Sequence, residues 1–136
     1  ARHPGLSRVV IDDVAGGRLA TQHLIELGHR RIGFVGDQLE NPFNFVSSRD
    51  RYEGYRQALA EAGIPFRAEY HAQGEHGREQ ARRMASDLLA LREPPTAIFA
   101  ASDTQAFGVL EATQDAGLKV PEDLSVIGYD DVEIAE

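Results

Sequence analysis

Three apolar runs in this chain each end in groups able to bind a small polar ligand. Ile32-Gly33-Phe34-Val35-Gly36 runs into Asp37, Ala97-Ile98-Phe99-Ala100-Ala101 into Ser102-Asp103, and Ser125-Val126-Ile127-Gly128-Tyr129 into Asp130-Asp131. A fourth constellation is Ser47-Ser48-Arg49-Asp50-Arg51-Tyr52-Glu53-Gly54-Tyr55. On a helix, Ser47 and Arg51 share one face near the amino terminus. Arginine there offers five fixed donors to a carboxylate, a phosphate or a pair of sugar hydroxyls. Gly54 leaves backbone open to close packing. Each group also has a purely structural reading. Arg49 and Arg51 fit surface ion pairs, Ser102 or Asp103 fits a helix N-cap, and His76 fits a cap or a solvated side chain. Asp130-Asp131 is harder to place as structure alone, because adjacent carboxylates repel unless a cation or several donors meet them.

Enzyme signatures are missing. The chain has no P-loop, no Gly-x-Gly-x-x-Gly after the first strand, no Gly-x-Ser-x-Gly elbow and no His-Glu-x-x-His. Without cysteine it has no disulfide, thiolate metal site or thiol nucleophile. We expect no cofactor and no metal, with a metal-dependent enzyme built on Asp130-Asp131 kept as a rival. The net charge of −8 argues against this piece wrapping bare nucleic acid. Nothing approaches a membrane span of about 18 apolar residues. The opening Ala1-Arg2-His3-Pro4-Gly5 has no signal-peptide core, and the chain lacks an initiator methionine and stops at Glu136. We therefore expect a piece of a longer cytoplasmic protein.

The positioning elements follow from hydrophobic period. Residues 8–13, 32–37, 96–101 and 124–129 read as strands, with 68–73 a weaker candidate. Helices are expected from Asp12 to Gly28 with Leu19, Ala20, His23, Leu24 and Leu27 on one face. Further helices are expected over 48–62 with Tyr52, Tyr55 and Leu59 inward, over 76–91 with Ala81, Met84, Ala85, Leu88 and Leu89 inward, and over 103–116. His29 reads as a turn residue that orients the strand after it. Alternation of strands and helices indicates a parallel sheet with right-handed crossovers. At 136 residues, 42% hydrophobic and 26% charged, this is one α/β domain with a real core. In such sheets ligands bind beyond the carboxyl ends of the strands.

The chain resembles the lactose-repressor (LacI/GalR) family of bacterial transcription regulators. The resemblance runs from Val9 to Asp131. It rests on His23-Leu24-Ile25-Glu26-Leu27-Gly28-His29-Arg30-Arg31-Ile32, Ser47 with Arg51 and Gly54-Tyr55, Pro95-Thr96-Ala97-Ile98-Phe99, Ser102-Asp103 with Ala106 and Gly108, and the segment from Val120 through Pro121-Glu122-Asp123-Leu124 to Asp131. It implies a three-layer α/β/α, doubly wound, periplasmic-binding-protein-like (type I) lobe. Residues 1–136 would be one effector-binding lobe, with the first lobe and the helix-turn-helix headpiece outside it. Arg51 and Asp130 would grip effector hydroxyls, with Ser47, Ser102, Asp103 and His76 at neighbouring positions. Many relatives carry asparagine where Ser102 stands, and an aromatic residue that packs on the effector where His76 stands. The implied partners are a sugar-like effector, operator DNA through the headpiece, and a second copy in a homodimer. A periplasmic sugar-binding transporter component is the alternative on the same fold.

Overall fold

The computed structural model describes residues 13–37 and 46–129. In chain order these form α1 (Asp13–Glu26), β1 (Ile32–Asp37), α2 (Val46–Glu61), a short 3-10 turn (Ala68–Tyr70), β2 (His71–Gly74), α3 (Arg78–Leu89), β3 (Ala97–Ala100), α4 (Asp103–Asp115) and β4 (Ser125–Ile127). The four strands make one sheet in the order β2-β1-β3-β4. Every pair is parallel.

The strands read as nearly unbroken apolar runs because helices cover both faces of the sheet. Side chains alternate between those faces. Ile32 and Phe34 of β1, with Ala97, Phe99 and Ala101 around β3, join Leu24 of α1 and Tyr55 and Leu59 of α2 in one core. Val35, Ile98 and Ala100 join Ala81, Met84, Ala85 and Leu88 of α3 and Val109 and Ala112 of α4 in the other. This is the expected three-layer α/β/α arrangement.

Small residues set how closely the helices approach. A Cβ at Gly54 of α2 would overlap the Val14 carbonyl oxygen and sit 2.5 Å from the Arg18 nitrogen of α1. Gly17 of α1 faces the Arg51 backbone in the same way. That contact corrects the face expected for α1. Its buried residues are Gly17, Thr21 and Leu24, with Thr21 Oγ1 donating to the Gly17 carbonyl at 2.9 Å. Leu19 and Leu27 are 65% and 60% exposed, and His23 is exposed too. Backbone proximity at glycine, not side-chain bulk, chose the inner face.

Other boundaries shift for local reasons. The weak strand expected over 68–73 divides into a 3-10 turn and β2. Arg67 ion-pairs with Glu69 at 2.9 Å, and the Tyr70 amide donates to the Arg67 carbonyl, holding a turn before His71. Helix α3 starts at Arg78 because Gly77, at φ 145°, adopts a conformation that L side chains rarely take. His29 lies part-buried at the amino ends of the strands, its two ring nitrogens 2.8 Å from Thr96 Oγ1 and 2.9 Å from Ser125 Oγ. It ties β3 to β4, and burial lowers its pKa. The first expected strand, over 8–13, falls outside the described residues apart from Asp13.

Two predictions follow from this packing. Gly54→Ala should cost about 1–3 kcal/mol through overpacking, read as a lower melting temperature by calorimetry. An unchanged temperature would mean that α1 and α2 separate freely. The second concerns His71, which stacks on Tyr52 at 4.1 Å with its Nε2 buried and without a hydrogen-bond partner. Burial first, and the nearby Arg56 charge second, lower its pKa to about 4. Between pH 6.5 and 4 the unfolded chain then holds more protons at this site than the folded one. Stability is therefore full above pH 6.5 and declines as pH falls toward 4, by about 2 kcal/mol after allowance for partial exposure. His71→Phe should remove this share of the slope in urea titrations at pH 7.5 and 4.5; equal slopes in both proteins would reject the assignment.

Candidate functional site

Because all four strands are parallel, their carboxyl ends lie along one edge. Asp37 pairs in register with Gly74, Val35 with Ala100, and Phe99 with Ile127. The edge thus gathers Asp37, the segment from Gly74 to His76, Ala101-Ser102, and Gly128-Tyr129. Helices α1, α2 and α4 all begin beside it.

Asp37 is its most buried acid, at 4% exposure. Its Oδ1 accepts from His76 Nδ1 at 2.9 Å and from Gln105 Nε2 at 3.2 Å. Its backbone amide donates to Ser48 Oγ at 3.1 Å, and its carbonyl accepts from Gln73 Nε2 at 3.3 Å. Since a carboxylate only accepts, Nδ1 of His76 carries the proton, while the rest of that side chain remains 40% exposed. Gln105 is fully buried. Its Oε1 accepts from Ser102 Oγ at 3.1 Å, and its backbone N–H donates back to the same hydroxyl at 3.3 Å. Ser102 is therefore the N-cap of α4 and also the brace that orients Gln105 toward Asp37. Asp103 follows in the first turn of α4, exposed, where a negative charge suits the helix dipole.

Arg51 is 3% exposed, one helical turn beyond Ser48. Its Nε and Nη2 donate to Asp13 Oδ1 at 3.2 and 3.1 Å, and Nη1 donates to the Ala101 carbonyl at 2.5 Å. The Tyr129 ring lies 3.9 Å from its Cζ, a cation–π contact. Tyr129 also reaches Gly16 of α1, where a Cβ would overlap the phenol. One guanidinium thus joins the start of α1, the end of β3 and the segment after β4.

Of the residues singled out from sequence, Arg51, Ser102, Asp103 and His76 lie at this edge. Ser47 is in the first turn of α2, its side chain outside the described residues; Asp130 and Asp131 are outside them as well. Three further residues complete the network. Asp37 was read as a strand end suited to a ligand but was not among the named effector contacts. Asp13 stood within the bounds of the first expected strand and helix. Gln105 was missed, although its place three residues after an N-cap serine is where a side chain can return to the cap. Among the described residues, no group of three or more His, Asp or Glu side chains could hold a metal. A hollow of about 460 Å³ lined by Arg67, Glu69, Leu91, Arg92 and Glu93 lies near the opposite ends of β2 and β3. Its Arg67 is already clasped by Glu69 and Glu93, each at 2.9 Å, so we place the site at the strand tips instead.

A profile of the periplasmic binding protein-like domain matches residues 21–136. The HTH-type transcriptional repressor PurR of Actinobacillus pleuropneumoniae serotype 3 (strain JL03) is 42% identical over 125 residues, which is 92% of this chain and 36% of that protein. A sugar-binding LacI-family transcriptional regulator from Escherichia coli, solved with phosphate, superimposes with a TM-score of 0.81 at 32% identity, covering 93% of this chain and 44% of the other. A complex of the transcriptional regulator CelR with cellobiose gives 0.79 at 37% identity, over 88% and 35%. The chain thus spans well under half of these relatives, which are transcriptional regulators and not transporter components. With its four parallel strand tips gathered along one polar edge, this chain belongs to the periplasmic binding protein-like family, as an effector-binding domain piece of the LacI-family regulators.

Proposed function

We propose that this chain is the effector-sensing lobe of a cytoplasmic LacI-family repressor. In this reading it binds a neutral polar effector, a sugar or sugar derivative, at the strand tips and carries out no catalytic step. The observation that supports the reading most is the polar network at the carboxyl edge, built of two neighbouring hydrogen-bonded clusters: Arg51 with Asp13 and the Ala101 carbonyl, and Asp37 with Ser48, His76 and Gln105, the last held by Ser102. Such a network presents both donors and acceptors, as vicinal hydroxyls do. The effector pocket would comprise Arg51, Asp130, Ser47, Ser102, Asp103 and His76, and a second lobe would close over it. Effector bound between two lobes favours one relative orientation, and that population shift resets the spacing of two operator-binding headpieces. No helix among the described residues is long and apolar enough to cross a membrane.

Two headpieces need a dimer. The outer face of α4 supplies a surface for it: Phe107 is 58% exposed, with Leu110 and Val120 exposed beside it. Together with Leu118 and Thr113 they line a shallow hollow. Apolar side chains grouped in this way mark an interaction surface more often than isolated ones do.

Two measurements test the reading on the complete regulator. A compound that raises its melting temperature should also change its affinity for its operator, by about 5–150-fold; a stabiliser that leaves operator affinity untouched would refute the sensing role. Leu110→Glu combined with Phe107→Glu should turn a dimer into a monomer in sedimentation with little change in helix content. A dimer that survives both charges places the interface elsewhere.

A further inference from the structure

Asp37 carries a negative charge into a nearly closed position, yet its two oxygens are not used alike. Both side-chain donors, His76 Nδ1 and Gln105 Nε2, land on Oδ1. Oδ2 has no hydrogen-bond partner among the described residues, and it is not sealed from solvent, since the buried unpartnered polar atoms comprise only His71 Nε2. An ionised carboxylate accepts on both oxygens. A ligand hydroxyl or N–H directed at Oδ2 would make a charge-assisted bond of the stronger kind. A phosphate or carboxylate brings no donor when fully ionised and adds a like charge.

The surrounding charges point the same way. Arg51, the buried cation of this edge, has its charge opposed by Asp13 at 3.1 Å. Asp103 adds an exposed acid at the start of α4. Helices α1, α2 and α4 begin at this edge and their amino ends favour negative charge, but an anion drawn there would meet the Asp37 carboxylate and the exposed Asp103. We propose that Asp37 is the specificity-determining acceptor of the effector pocket, taking a hydroxyl of a neutral sugar or nucleoside through Oδ2 and rejecting the phosphorylated counterpart. The inference rests on the strand tips being the effector pocket and adds the class of effector that they admit.

The test uses the complete regulator and a panel of pentoses, hexoses, disaccharides and nucleosides, each matched with its phosphate ester. Thermal shift finds the binders and calorimetry measures them. The wild-type protein should bind the neutral member of at least one pair and discriminate against its ester by about tenfold or more. Asp37→Asn retains the oxygen that meets His76 and Gln105 and replaces the outward oxygen by a donor. It should lose about tenfold in affinity for the neutral compound and gain on the ester, a gain that misfolding cannot produce. Stronger binding of an ester by the wild type, or an unchanged neutral-to-ester ratio in Asp37→Asn, would overturn the role of Asp37 while leaving the pocket in place. Silence across the whole panel would overturn the pocket reading itself.

Discussion

A guanidinium taken almost wholly out of water has to find acceptors, because an unpaired buried charge costs several kcal/mol. Arg51 meets that demand with partners from three separate segments: Asp13, the Ala101 carbonyl, and the ring of Tyr129. The requirement propagates outward. Asp13 can reach Arg51 only if the start of α1 lies against the first turns of α2, and that approach is possible because Gly17 and Gly54 carry no side chain at the crossing. Tyr129 covers the guanidinium with its phenol lying against Gly16 of α1, where a side chain would block it. Two helices, a strand end and a strap are thereby registered to one cation, and the strand-tip edge takes its shape from this arrangement.

The polar chain beside Arg51 works by the same logic with smaller charges. Ser102 caps α4 and directs Gln105, while Gln105 and His76 together satisfy one oxygen of Asp37. Each donor that serves the fold also fixes which atom is left for a ligand. Ser102 caps α4, the structural reading weighed from sequence, and the same cap orients the residue that holds Asp37. The site is prepared by interactions that the folded domain needs in any case.

How much of this was legible depended on what carried the signal. The strands were, because burial on both faces leaves runs such as Ala97-Ile98-Phe99-Ala100 with no polar interruption. Helices α2 and α4 were too, through Tyr55 and Leu59 in one and the Ser102 cap in the other. For helix α1 the expected face held at Leu24 and Ala20 but failed at Leu19, His23 and Leu27, because apolar bulk marks burial only where side chains fill the gap. Here the gap is closed by Gly17, and Leu19 and Leu27 turn outward. The position of Arg51 was foreseen, but its partners were not, since Asp13 and Ala101 lie far from it in sequence. The spacing of Gln105 from Ser102 could show its return to the cap, but its bond to Asp37 exists only once β1 and α4 are brought side by side. Ser47 and Asp130, singled out from spacing and charge and again by the resemblance, have side chains outside the described residues.

The internal use of these groups bears on why a sensor of this kind would need two lobes. Donors of Arg51 that hold Asp13 and Ala101 are engaged before any effector arrives. On the proposed reading, a single lobe then offers chiefly the acceptor on Asp37 and its neighbours, with charge-assisted bonds contributing about 1.5–3 kcal/mol each. Micromolar affinity needs about 8 kcal/mol net, after an association cost of at least about 4 kcal/mol. One or two such bonds fall short, so the remaining contacts have to come from the facing lobe. An effector whose affinity depends on both lobes binds only where they are suitably oriented, and its binding free energy is thereby converted into a preference for that orientation. A lobe that bound its effector tightly by itself would gain nothing from closure and would have no signal to transmit.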